Sequence, residues 1–456
     1  MSRRQLSWAC VLFFGLLAPL ATAADANARA EGSSADGLAY ETIQNVDIYT
    51  DNATALTTQT PPVEGWWDSR ICSGSYCVYT NRRIANGRGL VAVTRTDDFQ
   101  KFERIEQHLN RGENNYLQDP IPFKTADIPN KGPGVTATKN IRRGKPLMVW
   151  SPVLAVHKSF FEDVTKRKDR DRLLEAAVSF LPEATRAVFD KQRARPGDRE
   201  GTNPRSVEDI VLAHPFEIDL GYVSYRQMNS EEHSRHYVNY PEVAVFQHDC
   251  RPNVATFIDA SFALRATVAR RVQEGEELTV AYVDPFLPRE QRASWARQYR
   301  GFPDSKGCPC SACSPPGGPK GGKAAEGDKR LKEILRIRGE LRNPESTKVD
   351  FATIERFLKL YEEDRLHAKL ADAYELAALN FNYLGDDKRA KKYADLAVQA
   401  GIIEQGVDAN DVIAMKIMAK DIKGHYSYRY TLKRRGNKER ESSSTANPVE
   451  EILKQT

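Results

Sequence analysis

Apolar and polar positions change rhythm several times along this chain. An uncharged apolar stretch from Trp8 to Leu20 is followed by residues 24–60, where no apolar period can be found. From Trp66 short apolar runs set in. Cys77-Val78-Tyr79 and Gly89-Leu90-Val91-Ala92-Val93 predict strands, with Asn86-Gly87 as a turn, and 97–109 predicts a helix. Residues 128–153 read as strand, turn, strand, marked by Gly132-Pro133-Gly134, by Arg143-Gly144 and by Leu147-Met148-Val149-Trp150. Between about 158 and 240 the rhythm turns helical. Leu173, Leu174, Ala177, Val178 and Phe180 recur among charges, and Pro182, Pro196, Gly197 and Pro204 break the run. Strand-like patches return at Val243–Phe246, Ala255–Ile258, Phe262–Val268 and Glu277–Val283. The predicted fold class is α+β: small sheets interrupted by a helical insert.

Pro315-Pro316-Gly317-Gly318-Pro319 opens a linker, read as 314–329, and residues 330–430 are helical. Leu331, Ile334, Leu335 and Leu341 make one apolar stripe; Phe351, Ile354, Phe357, Leu358 and Tyr361 make another. Residues 366–401 resemble one tetratricopeptide unit. Leu366, Leu370, Ala377 and Phe381 line its first helix, Gly385 turns the chain, and Ala390, Tyr393, Ala394 and Ala397 line its second. Gly401 is expected at the C-cap. A peptide-binding repeat and a plain packing hairpin both satisfy this pattern. The tail, 431–456, starts with the basic residues Lys433, Arg434 and Arg435.

Charge narrows the function only slightly. The 67 basic and 62 acidic residues leave a net charge of +5, spread with both signs interspersed, so no nucleic-acid partner is expected. The N-terminus matters more. Arg3 and Arg4, the apolar stretch, and Ala21-Thr22-Ala23 form a signal-peptide pattern over 1–23. The stretch is short for a membrane span, although an uncleaved anchor is the alternative. The expectation is entry into the secretory pathway with no span after cleavage. Asn52 then begins a glycosylation sequon, Asn52-Ala53-Thr54, in a flexible lead over 24–60.

Four motifs follow in fixed order: Lys131-Gly132-Pro133-Gly134 before a strand; Gln247-His248-Asp249-Cys250-Arg251-Pro252-Asn253; Gly275-Glu276-Glu277-Leu278-Thr279-Val280-Ala281-Tyr282; and Cys308-Pro309-Cys310-Ser311-Ala312-Cys313. Each alone is weak, but together they make the region 121–284 resemble the SET domain of protein lysine methyltransferases. The layout is similar to a subgroup with a helical insert, a Cys-x-Cys-x2-Cys post-SET segment (285–313 here) and a tetratricopeptide-like C-terminal domain. No Cys/His array of a MYND finger is present, so partner binding of that kind is not carried over. A strand-rich region, 61–120, precedes the SET portion.

The resemblance implies S-adenosylmethionine as cofactor, a protein lysine as substrate and Tyr282 as the active-site tyrosine. Lys131, Gly132, Gly134, Gln247 and His248 are implied at the cofactor. Glycine permits the close backbone approach this requires. A tyrosine hydroxyl can orient the incoming amine, and positioning supplies up to about 7–11 kcal/mol. An apolar channel favours the neutral amine, because desolvation disfavours charge. Two departures are visible. Gln247 stands where the family has Asn. Lys306-Gly307 stands where many members have an aromatic, and Phe302 is the nearest substitute. The first keeps open a SET scaffold without strong catalysis, acting through its helical region.

Three closely spaced cysteines leave one position of a zinc tetrahedron open. The resemblance implies Cys250 as the fourth ligand beside Cys308, Cys310 and Cys313; ordinary disulfides are the alternative in an oxidising compartment. Cys10 leaves with the signal peptide, and Cys72 and Cys77 remain, expected as a disulfide.

Overall fold

The runs Tyr76–Asn81 and Leu90–Arg95 show little polar alternation, which suits strands covered on both faces. The computed structural model describes residues 61–62, 64–110, 115–117, 119–129, 131–194, 206–214, 216–220, 234–300, 308–314 and 322–434. All of them lie in one unit, Thr54–Thr456. The expected signal segment 1–23, the lead with Asn52, Phe302 and residues 435–456 lie outside the described residues.

Strands β1 (Trp67–Ser73) and β2 (Tyr76–Asn81) form a hairpin that the Cys72–Cys77 disulfide crosslinks. After a one-turn segment α1 (Ile84–Gly87), with Ala85 and Asn86 at positive φ, β3 (Leu90–Arg95) joins β2 antiparallel and α2 (Thr96–Leu109) follows. The chain continues through β4 (Tyr116–Leu117), β5 (Phe123–Ile128), β6 (Gly132–Ala137), β7 (Pro146–Trp150) and β8 (Leu154–His157). The insert holds α3 (Phe160–Asp163), α4 (Arg167–Ser179), α5 (Glu183–Phe189) and α6 (Val207–Ala213), and ends in two strands, β9 (Phe216–Asp219) and β10 (Arg235–Asn239). The six-stranded sheet runs β1-β2-β3-β8-β10-β9. Successive residues point to opposite faces. Accordingly Cys77, Tyr79, Leu90 and Ala92 pack with Phe102, Ile105 and Leu109 of α2. Tyr76, Val78, Val91 and Val93 pack instead with Leu173, Leu174 and Ala177 of α4.

The remaining strands are β11 (Gln247–His248), β12 (Val254–Ile258), β13 (Leu264–Val268) and β14 (Thr279–Val280). They build a β12-β13-β7-β4 sheet, a β5-β6 hairpin and the small parallel pair β11-β14. Two expected strands are corrected here. Val243–Phe246 is mostly a 3-10 turn, Pro241–Val245, because Pro241 starts a helical turn and has no N–H for a ladder. The strand expected over Glu277–Val283 shrinks to two residues, since its partner β11 offers only two. Tyr282 therefore lies just past a strand end.

Beyond α7 (Arg289–Arg300) come α8 (Gly322–Arg342), α9 (Phe351–Glu363), α10 (Leu370–Tyr383), α11 (Asp387–Glu404) and α12 (Asn410–Lys420). Helix α8 begins inside the segment read as linker to 329, since Lys323-Ala324-Ala325-Glu326 propagates helix well. Asp350 and Asp386 cap α9 and α11, accepting from Thr353 N at 2.7 Å and Arg389 N at 2.8 Å. Gly385, at φ +78°, turns α10 into α11. Gly401 is not a C-cap: it lies within α11, where a Cβ would stand 2.5 Å from Val412 Cγ2, so its role is the close approach of α12. No helix among the described residues is long and apolar enough to cross a membrane.

Glu404, the last residue of α11, accepts from Leu370 N at 2.8 Å and Ala371 N at 3.1 Å at the start of α10. Burial pushes its carboxyl up to about 7, against the pull of Ala371 N–H and Lys369. Between the ordinary 4.5 and about 7 the folded chain thus holds a proton that the unfolded chain releases. Its stabilising effect is complete below the unfolded value and is lost as pH rises through 7. Glu404→Gln keeps the acceptor and removes the charge. In thermal denaturation the variant should match the wild type near pH 4.5 and exceed it at pH 8 by roughly 1–3 kcal/mol.

Candidate functional site

Backbone pairing brings the first three motifs together. Parallel register places Gln247 beside Thr279 and His248 beside Val280. Asp249 N extends the pair by donating to Val280 O at 3.0 Å. Asn253 closes it from the other end, donating Nδ2 to Glu277 O at 2.7 Å and accepting from Thr279 N at 2.9 Å. On the far side Leu278 N donates to Val135 O at 2.9 Å, and Ala137 N to Glu276 O at 2.9 Å. The glycine loop thus lies along one side of residues 276–280 and the segment 247–253 along the other.

The loop itself is tightly specified. Gly132 sits at φ +77°, and a Cβ there would meet nothing within 4 Å, so its backbone faces open space. Gly134 is the reverse: a Cβ would stand 2.7 Å from Ile128 Cγ1 and 3.1 Å from Gln247 Cγ. The Gln247 amide donates to the carbonyls of Lys131 and Pro133, so this side chain grips the loop. Lys131 Nζ pairs with Glu277 at 2.7 Å. Burial pushes the Glu277 carboxyl up, and Lys131 only partly offsets that. Sequence reasoning placed Lys131 and Gln247 at a cofactor; the structure brings both to the loop and gives their side chains these protein partners.

Tyr282 is half-buried. Its hydroxyl lies 3.0 Å from Val243 O and 3.2 Å from Phe246 O, carbonyls of the 3-10 turn, so the turn that replaced an expected strand positions this group. Its ring packs against His214 and Phe216, whose centroids are 5.6 and 5.9 Å away. A cavity of about 270 Å³ opens beside it, walled by Thr256, Ala281 and Tyr282 on one side and by Leu366, Lys369 and Glu404 on the other. The helical region is therefore part of the site's wall.

The fourth motif meets the second. The sulfurs of Cys250, Cys308, Cys310 and Cys313 all lie within 4.8 Å of one another, and all four residues are buried with free thiols. Cys250 Sγ and Cys313 Sγ are 3.6 Å apart, far beyond disulfide bonding. Four sulfur donors converging in a buried, closed site fit a tetrahedral metal ion. His248 bridges this cluster to Tyr282: its Nδ1 accepts from Tyr282 N at 3.2 Å, and its Nε2 lies 3.2 Å from Cys250 Sγ. With Nδ1 accepting, the ring proton belongs on Nε2, facing the sulfur. Sequence reasoning missed Glu277, His214 and Arg292, the last with its Nη2 3.8 Å from Cys313 Sγ. None of these stood out by spacing.

The geometry agrees with comparison to known proteins. No curated protein matches the chain. The family model of the SET domain matches residues 132–283, from the first glycine of the loop to the residue after Tyr282. The chain therefore carries a SET domain, and residues 132–283 are that domain.

Proposed function

We propose that the protein is an S-adenosylmethionine-dependent protein lysine methyltransferase. One observation carries the reading: inside the SET match, the Tyr282 hydroxyl and the carbonyls of Val243 and Phe246 converge on one spot, and Tyr282 also lines the cavity. The cofactor would supply an electrophilic methyl group there. Gly132 and Gly134 would admit its amino-acid end, since the Gly132 backbone faces open space. The Tyr282 oxygen and the two carbonyls would orient a lysine nitrogen, and the His214 and Phe216 rings packed on Tyr282 would keep water away and favour the neutral amine.

Gln247 supports a second reading. Its amide is turned onto loop carbonyls, which suits a SET scaffold that binds partners through its helical region without strong catalysis. Calorimetry with S-adenosylmethionine, together with methyl transfer from labelled cofactor to a mixed protein extract, separates the two. Binding and transfer support the enzyme; neither would leave the scaffold.

The four sulfurs are proposed to hold structural zinc. The protein is proposed to work in the secretory pathway, a reading supported by the N-terminal pattern and by the Cys72–Cys77 disulfide.

Tyr282→Phe should leave cofactor affinity near wild type and cut methyl transfer roughly 100-fold, because only orientation of the nucleophile is lost. Transfer at the wild-type rate would remove Tyr282 from the mechanism.

The purified chain should contain one zinc per molecule by elemental analysis. Cys310→Ser should lose it and become protease-sensitive around residues 308–314, while the six-stranded sheet stays folded, because such ligands order the segment that carries them. A metal-free wild type with these cysteines oxidised would defeat the zinc reading.

A further inference from the structure

Arg292 is 3 % exposed, yet among the described residues it forms no ion pair with a carboxylate. Burying an unpaired guanidinium is costly, so an anion should lie within reach. Nη1 donates to the carbonyls of Leu287 and Pro285, which are neutral. Nη2 points at Cys313 Sγ from 3.8 Å. Helix α7 aims the group there: Arg292, Trp295 and Ala296 share one face, and Trp295 and Ala296 pack with the four cysteines.

The neighbouring charges leave this role to Arg292. Arg251, also buried, spends its guanidinium on Asp364. His248 contributes an N–H but no full charge when Nδ1 accepts from Tyr282 N. Asp249 is buried near the cluster and adds negative charge, held by Ser311 and by the backbone of Arg251. Zinc with four thiolates carries about two net negative charges, and burial makes them expensive.

We propose, on the reading that these sulfurs hold zinc, that Arg292 is the built-in counter-cation of the site. It governs how firmly the metal is kept and how slowly the sulfurs react with electrophiles. The electrostatics are direct. A fixed positive charge against Cys313 lowers the energy of the anionic cluster and draws electron density from its sulfurs. In an enzyme that handles an electrophilic methyl donor, blunting thiolate nucleophilicity also protects the site from alkylation.

The test uses the full chain. Wild type, Arg292→Lys and Arg292→Gln are loaded with zinc, and two rates are followed: zinc transfer to the chelator 4-(2-pyridylazo)resorcinol, and iodoacetamide alkylation of the four cysteines by mass spectrometry. Arg292→Gln keeps donors for the Leu287 carbonyl but drops the charge. It should lose zinc about tenfold faster or more, and be alkylated faster, while Arg292→Lys stays near wild type. Wild-type rates in the Gln variant overturn the proposal. So does a Lys variant as labile as the Gln variant, since the hydrogen bonds rather than the charge would then be responsible. If Arg292→Gln does not fold, cobalt-loaded Arg292→Lys decides. An unchanged sulfur-to-cobalt charge-transfer band supports the counter-cation; a band moved to lower energy overturns it. A wild type without metal removes the zinc reading and this one together, which separates that failure from the others.

Discussion

Beside the Phe286–Tyr361 ring contact and the Arg289–Asp328 pair, the bridge from Arg251 to Asp364 is the buried ion pair that ties the SET portion to the helical region. Arg251 directly follows Cys250, and its guanidinium is buried between them. Nε donates to the backbone and the carboxylate of Asp364, each at 2.9 Å, and Nη1 to Cys250 O at 2.7 Å and Pro285 O at 3.2 Å. Arg330 of α8 adds a longer contact to the same carboxylate. Asp364 lies at the end of α9, so one side chain joins the SET portion, the cysteine cluster and the helical region. A buried pair of this kind adds little net stability against an apolar substitute, but removing one partner costs roughly 3–5 kcal/mol. Its effect is to fix one arrangement. The cavity beside Tyr282 needs that, because Leu366, Lys369 and Glu404 wall it from the helical side.

Much of this was legible in the sequence, for identifiable reasons. The buried runs at Tyr76–Asn81 and Leu90–Arg95 announce strands by their own unbroken apolar content, since α2 covers one face and α4 the other. The α10–α11 hairpin announces itself through its small residues and Gly385, since neighbours in sequence pack on each other. Local spacing also made Cys308, Cys310 and Cys313 readable, whereas Cys250, distant in sequence, was implied only by the family resemblance. Elements held only by distant partners were the ones misjudged. The β14 strand is two residues long because β11 is, and nothing near Glu277 could indicate it. The Pro241–Val245 turn has the apolar content of a strand, and Pro241 was the signal that outweighed it. Gly401 looked like a helix end because its reason for being glycine, Val412, belongs to another helix.

The site residues divide the same way. Gly132 and Tyr282 could be placed by motif, whereas what Gln247 touches could not. One extra methylene lets its amide reach the carbonyls of Lys131 and Pro133, and the missing Cβ of Gly134 leaves room for it. Gln247 and Gly134 are therefore one packing unit. A substitution at either must be judged against the other, because residues in contact do not contribute additively.

His248 shows why the cysteine cluster bears on Tyr282 at all. The ring lies against Trp295 and is buried, so it has little freedom to turn. Its Nδ1 fixes the backbone N–H of Tyr282, and its Nε2–H meets Cys250. The position of the Tyr282 peptide is thus referred to a sulfur rather than to the short β14 strand, which ends two residues earlier. A two-residue strand gives weak positional control, and a side chain packed against a buried cluster of four cysteines gives more. Tyr282 is held at three points: its hydroxyl by the Pro241–Val245 turn, its ring by His214 and Phe216, and its backbone by His248. Those three supports come from the end of the helical insert, from the insert itself and from the cysteine-bearing segment. Each lies far from Tyr282 in sequence, so the geometry of this one hydroxyl depends on the whole domain being folded.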